Sequence, residues 1–397
     1  MSGPLQGIRV IETATMLAAP MCGMMLADFG ADVIKVELPG SGDQMRTWGH
    51  RKNGVPLYWK VLGRNKRSIT LDLRKPRGRA LFLRLIESAD VYIENFKPGT
   101  PARWGIAAET LREINPKLIA ARISGFGQTG PDSQRAGFGT LAEAMSGFAY
   151  INGWPGKPPT LPPFGLADAI AGITAAFGVV AALQHRNRTA QGQDIDVALY
   201  EPILTVMGSL LIDYQQAGVI QERNGNTTPF TAPRNAYPTR DGQWIAISCS
   251  TQATTLRILT AIGAPELIED PRFCTNQLRV EHAQALDQYI IDWTSAHDYA
   301  DAMRVFEVHG VTAGPIYNAA GILADEHVRA RGSVVTVSDP DLGDIIMQAP
   351  TPRMTQTPGE IAFAGRTLPG ADNSDIFKGT LGLSDSELAS LSEEAVI

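Results

Sequence analysis

The sequence predicts an α/β fold built on a parallel sheet, and three observations carry that expectation. Short apolar runs rich in β-branched residues alternate with helical patterns through the first 125 residues. A nearly uncharged stretch of small residues follows, PPTLPPFGLADAIAGITAAFGVVAALQHRNR at 158–188, which reads as a buried helix. With 397 residues, 44% of them apolar, the chain can bury a large core and is long enough for two domains.

The elements follow in order. IRVIET (8–13) reads as a strand, APMCGMMLADFGA (19–31) as a helix ending at Gly30, and DVIKVE (32–37) as a strand. SITLDL (68–73) is a further strand. PRGRALFLRLIESA (76–89) is a helix that opens on Pro, which suits a first helical position because its missing N–H has no partner there anyway. DVYIENF (90–96) and KLIAARIS (117–124) are strands around the short helix ETLREIN (109–115). Such alternation implies βαβ units whose parallel strands are covered on both faces. Residues 140–200 read mostly as helix, and DIDVALYEPIL (194–204) begins as a strand and continues as a helix. Residues 221–242, polar and rich in Pro, Asn and Thr, read as a crossing into another domain. WIAIS (244–248) is a strand, 252–309 is helical with a turn at AIGAPELIEDP, and SVVTVSD (333–339) is a strand. LSDSELASL (383–391) is a helix opened by Ser with Glu three residues on.

Composition excludes several classes. A net charge of −6 argues against a general nucleic-acid binder, which usually presents a basic face. Cys22, Cys249 and Cys274 show no disulfide spacing, and no Cys/His cluster has metal-ligand spacing, so no metal is expected. The start lacks a basic segment followed by an apolar run. The uncharged run Ala169–Leu183 is short and rich in Ala and Gly for a membrane span. A cytoplasmic protein without membrane contact is expected. GFGQTG (125–130) matches a dinucleotide-binding pattern, but PDSQRAG follows with no apolar periodicity, so no helix N-terminus is expected to hold a pyrophosphate. A loop whose glycines admit another backbone or a ligand is the expected meaning.

Between Lys157 and Arg186 the one formally charged residue is Asp168. Three readings of it stand together. An Asp in the first turn of a helix spanning 167–184 is stabilised by unpaired N–H groups. A carboxylate beside Gly165, Ala167, Ala169 and Gly172 has room to act as a nucleophile, and one of raised pKa could act as a general base.

With these residues in view the chain resembles the class III CoA-transferases, the family that includes formyl-CoA transferase, carnitine CoA-transferase and the 2-methylacyl-CoA racemases. Seven blocks carry the resemblance in order: PLQGIRVIE, LADFGADVIKVELPGSGDQMR, NKRSITLDLRKPRG, DVYIENFKPG, ISGFGQTGP, LADAIAGITAAFGVVAAL and GVTAGPIYN. The resemblance implies a large CoA-binding Rossmann-like domain from 1–204 and 325–397, a smaller α+β domain from 225–320, a linker at 205–224, and ring-like chains in an interlocked homodimer. It implies that Asp168 is acylated by a donor acyl-CoA and then carries CoA as a thioester, which an acceptor carboxylate attacks. Such covalent catalysis divides one difficult exchange into easier steps. Its substrates would be acyl-CoA and carboxylic acids, with CoA as the carried group.

Residues 64–79 hold Arg64, Lys66, Arg67, Arg74, Lys75, Arg77 and Arg79, a basic cluster suited either to CoA phosphates or to an ordinary solvated face. The resemblance places CoA contacts at Ala18, Leu71, Arg74, Asn95, Phe96, Arg103 and Trp104, with Arg135 beside a further contact. Several positions depart from the family pattern. Thr15, Leu17 and Leu38 stand where the formyl-transferring members have polar or basic residues, which disfavours formate and oxalate. Phe138 stands in place of a catalytic His, which disfavours the racemase alternative. The glycine-rich loop is not visible, and SCSTQA (248–253) occupies its region. Arg234, set in a polar loop, is expected to pair with the second carboxylate of a dicarboxylic donor such as succinyl-CoA. A nucleotide-cofactor oxidoreductase and a non-catalytic CoA-binding protein remain as alternatives of other classes.

Overall fold

The apolar runs become six parallel strands: β1 (Arg9–Glu12), β2 (Asp32–Glu37), β3 (Lys66–Thr70), β4 (Val91–Glu94), β5 (Ile119–Ser124) and β6 (Asp194–Ala198). Their spatial order is β3-β2-β1-β4-β5-β6, the order of a dinucleotide-binding α/β sheet. A computed structural model describes residues 3–397. Because strand side chains alternate, the sheet feeds two cores. Val10, Val33, Val91 and Ile119 face one core, and Ile11, Ile34, Tyr92 and Ala120 face the other. Helices cover both faces, so the central strands are buried on both sides and read as continuous apolar runs.

On the first face lie α1 (Ala18–Asp28) and α5 (Leu166–Thr189). On the second lies α2 (Pro76–Glu87), which buries Leu81, Phe82, Leu85 and Ile86 at helical spacing. Between them in sequence come α3 (Ala108–Ile114) and α4 (Gly139–Met145), and α6 (Glu201–Val206) follows β6. Small residues bring α1 and α5 together: a Cβ on Gly172 would lie 2.5 Å from the Ala18 carbonyl oxygen. Helix α5 is 24 residues long and apolar enough to cross a membrane, yet Ala171, Ala175, Val179 and Ala182 are buried in this core. It outruns the expected 167–184 because the polar turn after Leu183 stays helical. The segment 152–165, expected to be largely helical, is not, since its prolines remove N–H donors and fix φ.

The chain divides into two units. The sheet unit runs to Phe148 and resumes at Leu161–Leu211 and Ala330–Ile397; the second comprises Ala149–Thr160 and Ile212–Arg329. The second unit has a three-stranded antiparallel sheet, β7 (Arg234–Pro238), β8 (Trp244–Ser248) and β9 (Ala313–Pro315), with helices α7 (Gln252–Ala261), α8 (Ala283–Ser295) and α9 (Tyr299–His309). Strand β7 lies inside the stretch read as a polar crossing. It is an edge strand paired only with β8, where a sequence such as RNAYP is tolerated because no second neighbour needs its Pro to donate.

Within the sheet unit the last segment returns to the first. It adds a hairpin, β10 (Val334–Asp339) with β11 (Gly343–Gln348), and helix α10 (Asp385–Glu393). Strand β11 was not expected from the sequence. Ser384 and Glu387 form the reciprocal cap of α10. Ser68 N–H donates to Asp372 at 2.7 Å, and Asp72 N–H to the Val396 carbonyl at 2.8 Å.

Candidate active site

Open α/β sheets bind ligands beyond the carboxyl ends of their strands, where the strand order reverses. Here that point lies at β1, which is flanked by β2 and β4. The loops after β1, β2, β3 and β4 line a cleft of about 260 Å³ that includes Thr13, Thr15, Leu38, Asp43, Leu71, Arg74, Phe96 and Trp104. Phe96 and Trp104 meet edge to face with ring centroids 4.9 Å apart.

Beneath this cleft lies a buried set of three acids and three bases. Lys35 Nζ is 3.0 Å from Glu12 and 2.7 Å from Asp43; Lys66 Nζ is 2.8 Å from Glu12; Arg46 Nε is 2.7 Å from Glu37. Burial works against the Lys35 charge, but Asp43, Glu12 and Glu37 outweigh it and its pKa is raised. Lys66 faces the same burial with Glu12 as its close partner and with Lys35 repelling it, and its pKa is lowered. The two lysines shift in opposite directions because one is surrounded by acids and the other shares a single one.

This network holds the loop between β1 and α1. Asp43 accepts the Met16 N–H at 3.0 Å, and Lys35 donates to the Ala14 carbonyl. Asn95 clamps Thr15 from both sides, accepting its N–H at 2.9 Å and donating to its carbonyl at 2.7 Å. Met16 adopts φ of +68°, a left-handed conformation that non-glycine residues hold only when their surroundings impose it. Thr13 and Thr15 of this loop line the first cleft, while Met16 and Leu17 line a second.

The second cleft, about 830 Å³, contains Asp168. Its wall includes Trp48, Tyr58, Phe138, Leu141, Leu161, Phe164 and the buried Glu143, and among the described residues no Lys or Arg lines it. Asp168 stands in the first turn of α5, whose cap position, Gly165, offers no capping side chain. Glu143 Oε1, reaching from α4, accepts the Ala167 N–H at 3.2 Å instead. Glycines make room for the nucleophile candidate. A Cβ on Gly139 would lie 2.3 Å from Asp168 Oδ2, and one on Gly165 would lie 3.1 Å from it. Gly172 admits α1 rather than making room for Asp168. Burial, and secondarily the Glu143 charge, push Asp168 up to about 6.

Of the expected CoA contacts, Leu71, Arg74, Phe96 and Trp104 converge on the first cleft. Arg74 is exposed and pairs with Asp72 at 2.8 Å. Ala18 opens α1 and is buried. Asn95 spends its amide on Thr15, so its side chain shapes the loop. Arg103 is exposed and donates to Thr100, while Arg135 pairs with Asp132 at 3.4 Å and lies over Phe126. The basic cluster does not act as one surface. Arg64 is buried against Asp28, Lys66 against Glu12, and Arg67 pairs with Asp32, so these three are structural. GFGQTG is followed by turns, and Gly125 packs on Gly137, where a Cβ would lie 2.7 Å from the facing Cα.

Arg234 opens strand β7 rather than sitting in a loop, and lines a pocket of about 480 Å³ with Asn226 and Ser248 in the second unit. Its guanidinium donates to the Asn226 carbonyl at 2.8 Å. SCSTQA ends β8 and leads into the Thr251 cap of α7. The sequence reading missed Glu143, Tyr58, Gly139 and Asp43. A signal for Glu143 existed: it is the sole formal charge between Arg135 and Lys157, the same isolation that marks Asp168.

Comparison with known proteins finds relatives along nearly the whole chain. Residues 5–373 match the model for CoA-transferase family III. The chain is 47% identical to succinyl-CoA–D-citramalate CoA-transferase of Chloroflexus aurantiacus, over 99% of this chain and 98% of that protein. It is 40% identical to succinate–glutarate CoA-transferase of Agrobacterium fabrum, over 89% and 90% of the two chains. Its fold matches the crystal structure of a CaiB/BaiF family protein from Brucella suis with a TM-score of 0.83 at 34% identity, covering 94% of this chain and 98% of that one. The strand order, the cleft at its reversal and these likenesses together establish that this chain belongs to CoA-transferase family III and is a CoA-transferase.

Proposed function

We propose that the enzyme moves CoA from succinyl-CoA to a free carboxylic acid through covalent intermediates on Asp168. The observation that carries this reading is an accessible carboxylate that receives no hydrogen bond among the described residues, at the start of α5, in a cleft sharing one loop with the cleft of Leu71, Arg74, Phe96 and Trp104. CoA would lie in the first cleft, with Arg74 toward its phosphates and Phe96 and Trp104 against its apolar parts; Ala18, Arg103 and Arg135 are further contacts in this reading.

The Asp168 carboxylate attacks the thioester carbonyl, the C–S bond breaks, and CoA thiolate leaves an aspartyl anhydride. The thiolate attacks the aspartyl carbonyl, expelling succinate and leaving an aspartyl-CoA thioester. The acceptor carboxylate attacks that thioester, and the returning thiolate attacks the acceptor carbonyl to regenerate Asp168. The relatives that use succinyl groups support a dicarboxylic donor. In this reading Arg234, which lines a pocket of its own unit, takes the second carboxylate of such a donor. A second copy of the chain would cover the exposed face of α5, where Ile173, Phe177 and Val180 are 47%, 75% and 47% exposed, in the interlocked homodimer of this reading.

The test is mass spectrometry after mixing with succinyl-CoA and then hydroxylamine. A mass change at Asp168 that is absent in Asp168→Ala supports the reading, whereas transfer without any Asp168 adduct sinks it. Arg234→Ala should slow succinyl transfer more than acetyl transfer; equal slowing would remove Arg234 from the reading.

A further inference from the structure

The cleft around Asp168 holds a second carboxylate that the transfer steps above do not use. Glu143 is 3% exposed, and α4 fixes its backbone. Its Oε1 is tied to the Ala167 N–H, one residue before Asp168, and the positive end of α5 favours a negative charge at that place. Among the described residues Tyr58 is the other titratable side chain in the wall, and Trp48, Phe138, Leu141 and Phe164 supply an apolar remainder. A fixed negative charge on a buried side chain is screened less than one in open water, so Asp168 feels it.

We propose that Glu143 is a positioning residue that drives Asp168 toward its acylated state: its charge destabilises the Asp168 carboxylate, and that repulsion disappears when Asp168 becomes a neutral acyl group. This rests on the reading of Asp168 as the acylated residue. The charge balance is explicit. Asp168 Oδ forms a bond to the donor carbonyl carbon, the C–S bond breaks, and the negative charge passes to the CoA thiolate; when that thiolate attacks the aspartyl carbonyl, the charge departs on the expelled carboxylate. Every step that places an acyl group on Asp168 therefore gains the lost repulsion, and the step that regenerates free Asp168 opposes it. The same repulsion makes the free carboxylate more basic and hence a better nucleophile. The upward shift of Asp168, from burial first and Glu143 second, agrees in sign.

The test is Glu143→Gln, which keeps the volume and an oxygen to accept the Ala167 N–H but removes the charge. Wild type and variant are mixed with succinyl-CoA at fixed ratios to free CoA and to succinate, and the fraction of Asp168 held as anhydride or CoA thioester is read by mass spectrometry across pH. The ratio of acylated to free Asp168 should fall about threefold to tenfold, and the acid limb of first-turnover acylation should move down by about half to one pH unit. Glu143→Asp retains the charge and should stay closer to wild type on both readouts. Thr140→Lys adds a cation on an exposed part of the same wall, should shift both readouts in the same direction as Glu143→Gln, and serves if the glutamine variant does not fold. Unchanged ratio and limb in the folded variants, with Asp168 acylated in wild type, would overturn this proposal and leave the Asp168 reading intact. No adduct at Asp168 in wild type overturns both.

Discussion

The two clefts of the sheet unit treat charge in opposite ways. Under the first, Glu12, Lys35, Asp43, Lys66, Glu37 and Arg46 are buried with partners, and their common effect is to hold the β1–α1 loop in one shape. In the second, Asp168 and Glu143 share an apolar wall, and Asp168 receives no hydrogen bond among the described residues. Paired charges supply geometry and are chemically quiet. An unpaired carboxylate costs stability, and in the proposed reading its charge is left for the substrate to meet.

The largest effect should come from neutralising the unpaired group. Asp168→Asn should lower transfer by about a thousandfold or more, measured as the rate of CoA exchange. It should also stabilise the fold at pH 7. The native carboxyl is raised from an ordinary 3.8 to about 6, so it binds its proton more tightly than the unfolded chain does. Its stabilising contribution is present below about 3.8 and lost as pH rises through about 6, leaving a cost at neutral pH. After allowance for its partial exposure, removing the charge should gain about 1 kcal/mol, read as a raised denaturation midpoint. By the same titration, wild-type acylation should fall as pH drops below about 6, since the protonated acid cannot attack.

Neutralising a paired group should do the reverse. Lys35→Met leaves Glu12 and Asp43 buried without their shared cation and should cost about 3–5 kcal/mol in urea unfolding. If instead it stabilised the protein, the buried set would be a burden rather than a scaffold. Gly139→Ala places a methyl against Asp168 Oδ2 while leaving the first cleft untouched. Turnover should fall about tenfold to a hundredfold with CoA affinity unchanged, and a matching loss of CoA binding would show that the two clefts are not separate. The smallest effect is expected at Arg74, exposed and paired with Asp72. Arg74→Ala should weaken CoA binding about threefold to tenfold with no change in the thermal midpoint.

Much of this molecule was legible before its structure. The β2 run DVIKVE begins and ends as read, and α2 opens at Pro76. The Ser384 cap carries its Glu partner, and GFGQTG is followed by turns rather than a helix. These features are local: periodicity, a cap or a proline acts within a few residues of itself. Asp168 stood out as a candidate for a related reason, since a lone charge in an apolar segment is a local anomaly. Glu143 carries the same mark but was not singled out, because nothing near it in sequence shows that α4 delivers it to the first turn of α5.

The sequence by itself therefore determined the alternation of elements, the parallel sheet, the family and the nucleophile candidate. Tertiary structure alone decided which charges are structural. Arg64, Lys66 and Arg67 read as one basic patch, yet their partners Asp28, Glu12 and Asp32 come from other strands and helices, and the last segment closes over the same region from about 300 residues away, as in Ser68 to Asp372. It also placed the polar RNAYP at a sheet edge and spent Asn95 on the Thr15 backbone. The physical reason is that backbone preference falls off within a turn or two of the chain. The fate of a charge is set by whatever the fold brings within about 4 Å of it, however distant in sequence.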